Sequence, residues 1–88
     1  MEIKIQIPDY SPGSGFTFCW EGNFEIRTRV EHGEIVISAN KAGLVSLANH
    51  LLNLAQDDVP VGTHIHLDEF NYALEEGSAP LVIEKRVG

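Results

Sequence analysis

Eighty-eight residues with thirteen Asp or Glu against six Lys or Arg, a formal net charge of −7 at pH 7, allow one domain, residues 1–88, around one modest core. No stretch approaches the ~20 apolar residues of a membrane span, and ordinary Gly and Pro usage with 43% hydrophobic residues argues against disorder. Cys19 is the single cysteine, which excludes an internal disulfide and fits a reducing compartment. The opening MEIKIQI alternates and is not a basic region leading into an apolar run, so no signal peptide is expected and a cytoplasmic location is favoured.

Ile3, Ile5 and Ile7 alternate with polar residues and predict a half-buried first strand. Pro8 to Gly15 is a turn-rich loop. Phe16, Phe18 and Trp20 alternate with Thr17 and Cys19, and Phe24, Ile26, Thr28 and Val30 alternate with charged residues; together they predict a hairpin with one apolar and one charged face. Cys19, inside FTFCW, reads as a small buried hydrophobe rather than a nucleophile. Ile35 to Ile37 predict the next strand. Asn40 is a good N-cap for the one helix, because its side-chain oxygen can accept from the first-turn N–H groups. Leu44, Leu47, Ala48, Leu51, Leu54 and Ala55 recur at three and four and predict the face that packs on a sheet, with Ser46, Asn49, His50 and Asn53 largely on the other side. Gly43 costs the helix up to about 1 kcal/mol against Ala, and close packing there is a possible reason for it. Pro60 prevents the helix from continuing; Thr63 to Leu67 and Leu81 to Arg86 predict two more strands, joined by the long connection DEFNYALEEGSAP. The expected fold is α+β: a single mostly antiparallel sheet in the order β-β-β-β-α-β-β, with one helix packed on one face.

The charge is uneven. Residues 1–41 carry four Lys or Arg and six acids, whereas residues 42–84 carry seven acids and no Lys or Arg. This disfavours nucleic acid and anionic membranes as partners, since both need basic patches. It would steer a basic protein toward the second half, although negative charge also serves simply to keep a protein soluble.

The densest chemistry lies in THIHLDEFNY, residues 63–72. Residues two apart in a strand share a face, so Thr63, Ile65 and Leu67 point to the core and His64, His66 and Asp68 point outward, about 6.5–7 Å apart. Such a trio could share a zinc ion. HIHLDE also resembles the start of the HxHxDH motif of metallo-β-lactamase-type hydrolases, but Glu69 stands where that motif has its last histidine, and that fold is far longer than this chain. A polar, exposed strand face is the simpler reading. There is no GxSxG, P-loop or GxGxxG motif, and no spaced acid–base pair for catalysis. Phe70 and Tyr72 sit among Asp68, Glu69, Glu75 and Glu76: either Phe70 plugs the edge of the core and Tyr72 caps a turn, or the two are anchors inside an acidic rim.

NKAGLVSLANHLLNLAQDDVPVGTHIHLDEFNYALEEGSAPLVIEK resembles a family of small bacterial immunity proteins of polymorphic toxin systems. Its members carry a helix like GLxSLANHLLxLAQ, a strand and loop like VPxGxHIHLDExNxLEEGS, and a last strand like LIIEK. The likeness covers residues 35–85, with Ala73 and Ala79-Pro80 as departures from the pattern. The resemblance implies an α+β protein that is no enzyme, needs no cofactor, and binds and neutralises a cognate protein toxin inside the producing cell. It carries over no toxin-contacting residues. From the acidic, aromatic loop and the polar strand face beside it, the candidate partner-binding residues are His64, His66, Asp68, Glu69, Asn71, Tyr72, Glu75 and Glu76. Two alternatives stay open at this point: a small metal-binding domain using His64, His66 and Asp68, and a structural module that self-associates through a sheet edge or an uncovered face.

Overall fold

The computed structural model describes residues 1–88. It contains two antiparallel hairpins and one helix, in the order β1 (Ile26–Glu31), β2 (Glu34–Ala39), α1 (Lys41–Ala55), β3 (His64–Leu67) and β4 (Leu81–Glu84). The α+β class therefore holds, but the expected single sheet does not. β1 pairs only with β2, and β3 only with β4.

The first hairpin turns through His32 and Gly33, whose φ angles of 53° and 78° are those of a type I′ turn, the form whose twist suits a two-residue connection. The second hairpin runs past its strands, since the Gly62 N–H donates to the Lys85 carbonyl and the Lys85 N–H to that of Thr63, both at 2.9 Å. The two hairpins do not merge because the outer edge of β1 is already occupied. The Glu75 N–H donates to the Ile26 carbonyl at 2.8 Å and the Ala79 N–H to that of Thr28 at 3.1 Å, while Ser78 Oγ accepts from the Thr28 N–H. Thr28 Oγ1 donates back to the Ala79 carbonyl. The connection between β3 and β4 thus covers the edge of β1 as a strand would, without being one. It also brings Ala73 and Leu74 into the core formed by Ile26, Leu47 and Leu67, with Phe24, Ala39, Leu81 and Ile83 packed around it.

The two N-terminal strands predicted at residues 3–7 and 16–20 are absent as well. The second of them meets a helix instead of a strand. Ser46 Oγ accepts from the Glu21 N–H and Asn49 Oδ1 from the Cys19 N–H, each at 2.8 Å, and Asn53 Nδ2 donates to the Thr17 carbonyl at 3.3 Å. Backbone groups of residues two apart lie on one edge of an extended chain and advance ~6.5 Å per pair, while three or four helix residues advance ~4.5–6 Å. The spacings match, so the polar stripe of α1 takes the place of a partner strand. Gln56 Oε1 extends the row to the Tyr10 N–H, and Asn40 Oδ1 to that of Glu25.

This rotates the helix from its expected orientation, keeping Leu47 and Leu54 inside but not Leu44 and Leu51. Ser46, Asn49, His50 and Asn53 are buried, together with Leu47 and Leu54, whereas Leu44 and Leu51 are 56% and 49% exposed. Buried polar side chains are tolerated when they are hydrogen-bonded, and Asn53 Nδ2 additionally reaches Asn49 O and Oδ1. Cys19, expected to be buried, is exposed.

Both ends of α1 are capped. Asn40 Oδ1 accepts from the Gly43 N–H at 2.8 Å, as its position in the sequence suggests. At the other end Lys85 Nζ donates to the Gln56 and Val59 carbonyls at 2.6 and 2.9 Å, satisfying groups the helix leaves free. Gly43 marks where the helix crosses the first hairpin: a Cβ there would lie 2.5 Å from the Glu25 carbonyl oxygen and 2.9 Å from Ile26 Cγ1. Substitution Gly43→Ala gains helix propensity of at most about 1 kcal/mol, but the clash is with backbone and cannot be relieved by a rotamer change. Urea denaturation is expected to show a net loss of about 1–3 kcal/mol; an unchanged or raised midpoint would contradict the close crossing.

Candidate functional site

β3 alternates as its sequence indicates. Ile65 and Leu67 are buried, while His64 and His66 face out and meet edge to face with ring centroids 5.0 Å apart. His64 Nδ1 donates to the Gly62 carbonyl at 3.1 Å. No third His, Cys, Asp or Glu joins these rings in a group able to hold a metal ion, so the HIHLD trio lacks the geometry its spacing suggested.

Beyond β3 the chain turns sharply, and Asn71 builds the turn. Its Oδ1 accepts from the Asp68 and Ala73 N–H groups at 3.2 and 3.1 Å, its Nδ2 donates to the His66 carbonyl at 2.9 Å, and its own N–H donates to Asp68 Oδ1 at 2.9 Å. Glu69 Oε2 accepts from the Gly77 N–H at 2.9 Å, and Glu75 Oε2 pairs with Arg27 Nε at 3.1 Å. Of the eight residues singled out in the sequence, Asp68, Glu69, Asn71 and Glu75 therefore have partners inside the chain and shape the loop. Tyr72 and Glu76 on the loop and His66 on β3 are exposed with no side-chain hydrogen bond, and the exposed His64 is held only to the neighbouring Gly62 carbonyl.

The turn leaves two aromatic rings in the open. Phe70 is 81% and Tyr72 86% exposed. Phe70 does not plug the core. Tyr72 has φ of 63°, a left-handed conformation unusual for a bulky residue, and its N–H donates to the Glu69 carbonyl at 3.3 Å. The loop thus accepts both backbone strain and the exposure of two large rings.

Next to this loop lies a feature the sequence did not reveal. A cleft of about 180 Å³ is lined by Phe18, Trp20, His50, Ile65, His66, Leu67, Asn71 and Ala73. Holding residues 17–21 against α1 sets Phe18 and Trp20 on His50: Phe18 stacks on the imidazole at 4.3 Å and 4°, and Trp20 leans on it at 4.2 Å and 56°. His50 Nδ1 lies 2.7 Å from the Ser46 carbonyl. A carbonyl only accepts, so Nδ1 carries the proton, and Nε2 of the neutral ring is a bare acceptor. It is buried and has no hydrogen-bond partner within the chain. Burial holds the His50 pKa below the usual 6.5, opposed in part by the hydrogen bond to Ser46. The signal that could have exposed this site is the recurrence of Ser46, Asn49, His50 and Asn53 at helical spacing, a stripe too rich in hydrogen-bonding groups to be idle. A larger depression of about 450 Å³, lined by Ile3, Glu21, Gly22, Lys41, Ala42 and Val45, holds no such unsatisfied atom.

A lowered folded pKa means that the unfolded chain binds the proton more readily, so the contribution of neutral His50 is complete above pH 6.5 and is lost as pH falls below it. The variant His50→Gln should lose this component. Urea midpoints measured from pH 8 to pH 5 should converge between wild type and variant as the pH falls, and parallel curves would rule the component out. Asn71→Ala removes three side-chain hydrogen bonds at once. It is expected to cost about 1–3 kcal/mol and to speed amide exchange at Ala73; unchanged protection there would show that the loop is held by other contacts.

A family model described as Immunity protein 32 matches residues 34–86, more than half of the chain. No curated protein and no solved structure matches. No helix is long and apolar enough to cross a membrane.

Proposed function

The chain belongs to the Immunity protein 32 family, and on that premise we propose that it binds and neutralises a cognate protein toxin through the loop that follows β3. The observation that carries the proposal is the pair Phe70 and Tyr72, held almost fully exposed on a turn fixed by Asn71. A soluble domain seldom spends backbone strain to display aromatic rings unless something covers them, and aromatic anchors dominate the energetics of protein interfaces. His64, His66 and Glu76 are exposed on the same strand and loop, while Asp68, Glu69, Asn71 and Glu75 fix the shape on which the contact depends. The protein acts by binding and not by catalysis, in the cytoplasm of the cell that makes the toxin. Its acidic second half, with no Lys or Arg between residues 42 and 84, favours a basic toxin surface and fast, salt-sensitive association.

The test is co-expression with the product of the adjacent toxin-like reading frame, followed by co-purification and binding kinetics. Phe70→Ala and Tyr72→Gly are each expected to weaken the complex at least tenfold, as loss of a central aromatic anchor does. Glycine at position 72 relieves the positive φ, so that variant should be as stable as wild type or more so, which separates lost contact from lost fold. Glu76→Lys should slow association at low salt. The proposal fails if no toxin is captured, or if both aromatic variants bind as wild type does.

A further inference from the structure

Building on the immunity reading, we infer that the cleft beside the loop receives one side chain of the partner: a flat ring bearing an uncharged O–H or N–H donor, of the tyrosine or tryptophan type, which donates to His50 Nε2. Four observations converge on this chemistry. His50 is 1% exposed and lines the cleft, with its only unsatisfied atom, Nε2, on the ring edge away from the helix carbonyl that holds Nδ1. A buried acceptor left without a donor costs about 1–3 kcal/mol, and an incoming donor would remove that cost. The walls are Phe18, Trp20, Ile65, Leu67 and Ala73, which suit a ring and not a polar chain. None of the lining residues is a carboxylate, Lys or Arg, so a Lys or Arg entering the cleft would be buried without a counter-charge, and so would an acid facing the neutral His50 ring.

The dimensions agree. At about 180 Å³ the cleft falls below the ~300–1,000 Å³ of pockets for drug-sized ligands, so it accommodates one side chain and not a free cofactor. Its lining includes His66 and Asn71, which belong to the same strand end and turn that carry Phe70 and Tyr72. A partner lying across the loop therefore passes over the opening. The two aromatic rings would project into the partner while one ring of the partner projects back, which fixes the orientation of the complex in a way that the loop alone would not.

The experiment uses the full chain and small probes, and needs no toxin: p-cresol, toluene and methylguanidinium, titrated into protein labelled for long-range 1H–15N correlation of histidine rings. Expected is that p-cresol shifts the His50 Nε2 resonance upfield, as donation to a bare ring nitrogen does, and perturbs the Trp20 indole and the Asn71 side-chain amide. It should bind about two- to tenfold more tightly than toluene, the ratio that one neutral hydrogen bond contributes. In His50→Phe, which keeps the stack and removes the acceptor, that advantage should vanish; if the variant does not fold, the wild-type comparison decides alone. Equal binding of p-cresol and toluene, an unmoved Nε2 resonance, or preferential binding of methylguanidinium at Nε2 would overturn the inference. Those outcomes are separate from failure to capture a toxin, which bears on the immunity reading and not on the chemistry of the cleft.

Discussion

The fold depends on side chains of one helix standing in for a β-strand. Ser46, Asn49 and Asn53 present two acceptors and a donor at intervals that match alternate backbone groups of residues 17–21. Without that match residues 17–21 would have no hydrogen-bonding partner, because β1 is flanked by β2 on one edge and by residues 75–79 on the other. The arrangement also explains why so small a chain buries so many polar groups. Thr28, Ser46, Asn49, His50, Asn53 and Ser78 are buried beside eight buried apolar residues. Each polar member has its side chain hydrogen-bonded, His50 through Nδ1 alone, so the core is specified by hydrogen-bond geometry as much as by apolar volume.

The exception follows from the same interaction. Fixing odd-numbered backbone groups on α1 places the even-numbered side chains of Phe18 and Trp20 on one side, directly against the imidazole. The ring is then held between aromatic faces with one nitrogen committed to the helix backbone. No group of the chain donates to the other nitrogen, and the ring lines the cleft. The structural device that anchors the N-terminal segment is therefore also what leaves one acceptor unsatisfied near the loop that follows β3.

How much of this could be read from the sequence depends on the range of the forces involved. Asn40 as N-cap, Pro60 as a stop, Gly43 as a close approach and the in–out alternation from His64 to Leu67 are local, and each was legible in the letters around it. The assignment of the helix faces failed because a hydrophobic stripe is only a proxy for burial. Leu44 and Leu51 score as core by type, yet the neighbouring polar stripe is complementary to a segment some thirty residues away, and no window along the chain contains both. The strand predicted at residues 16–20 failed for the related reason that alternation reports two distinct sides, not what pairs with the edge. In the candidate site, the loop and its acidic residues were evident from composition. That three of the four acids are committed internally was not, since Asp68, Glu69 and Glu75 differ from Glu76 only in what the turn brings within reach.

That division bears on how a loop can recognise a partner tightly. An exposed turn of thirteen residues would normally lose much of its binding energy to ordering on contact. Here the turn is already tied to itself and to β1 within the chain. Asn71 closes the turn upon itself, Glu69 ties it to Gly77, and Glu75 and Ala79 hold its far side to β1 through backbone hydrogen bonds. The acidic residues Asp68, Glu69 and Glu75 therefore serve as struts, which under the proposed function leaves Glu76 and the general charge of the second half for attraction of a partner from a distance. Short-range shape and long-range field are then carried by different residues. Tyr72 depends on the first: its backbone strain is tolerated because the turn is over-determined, and that same turn holds the ring almost fully exposed.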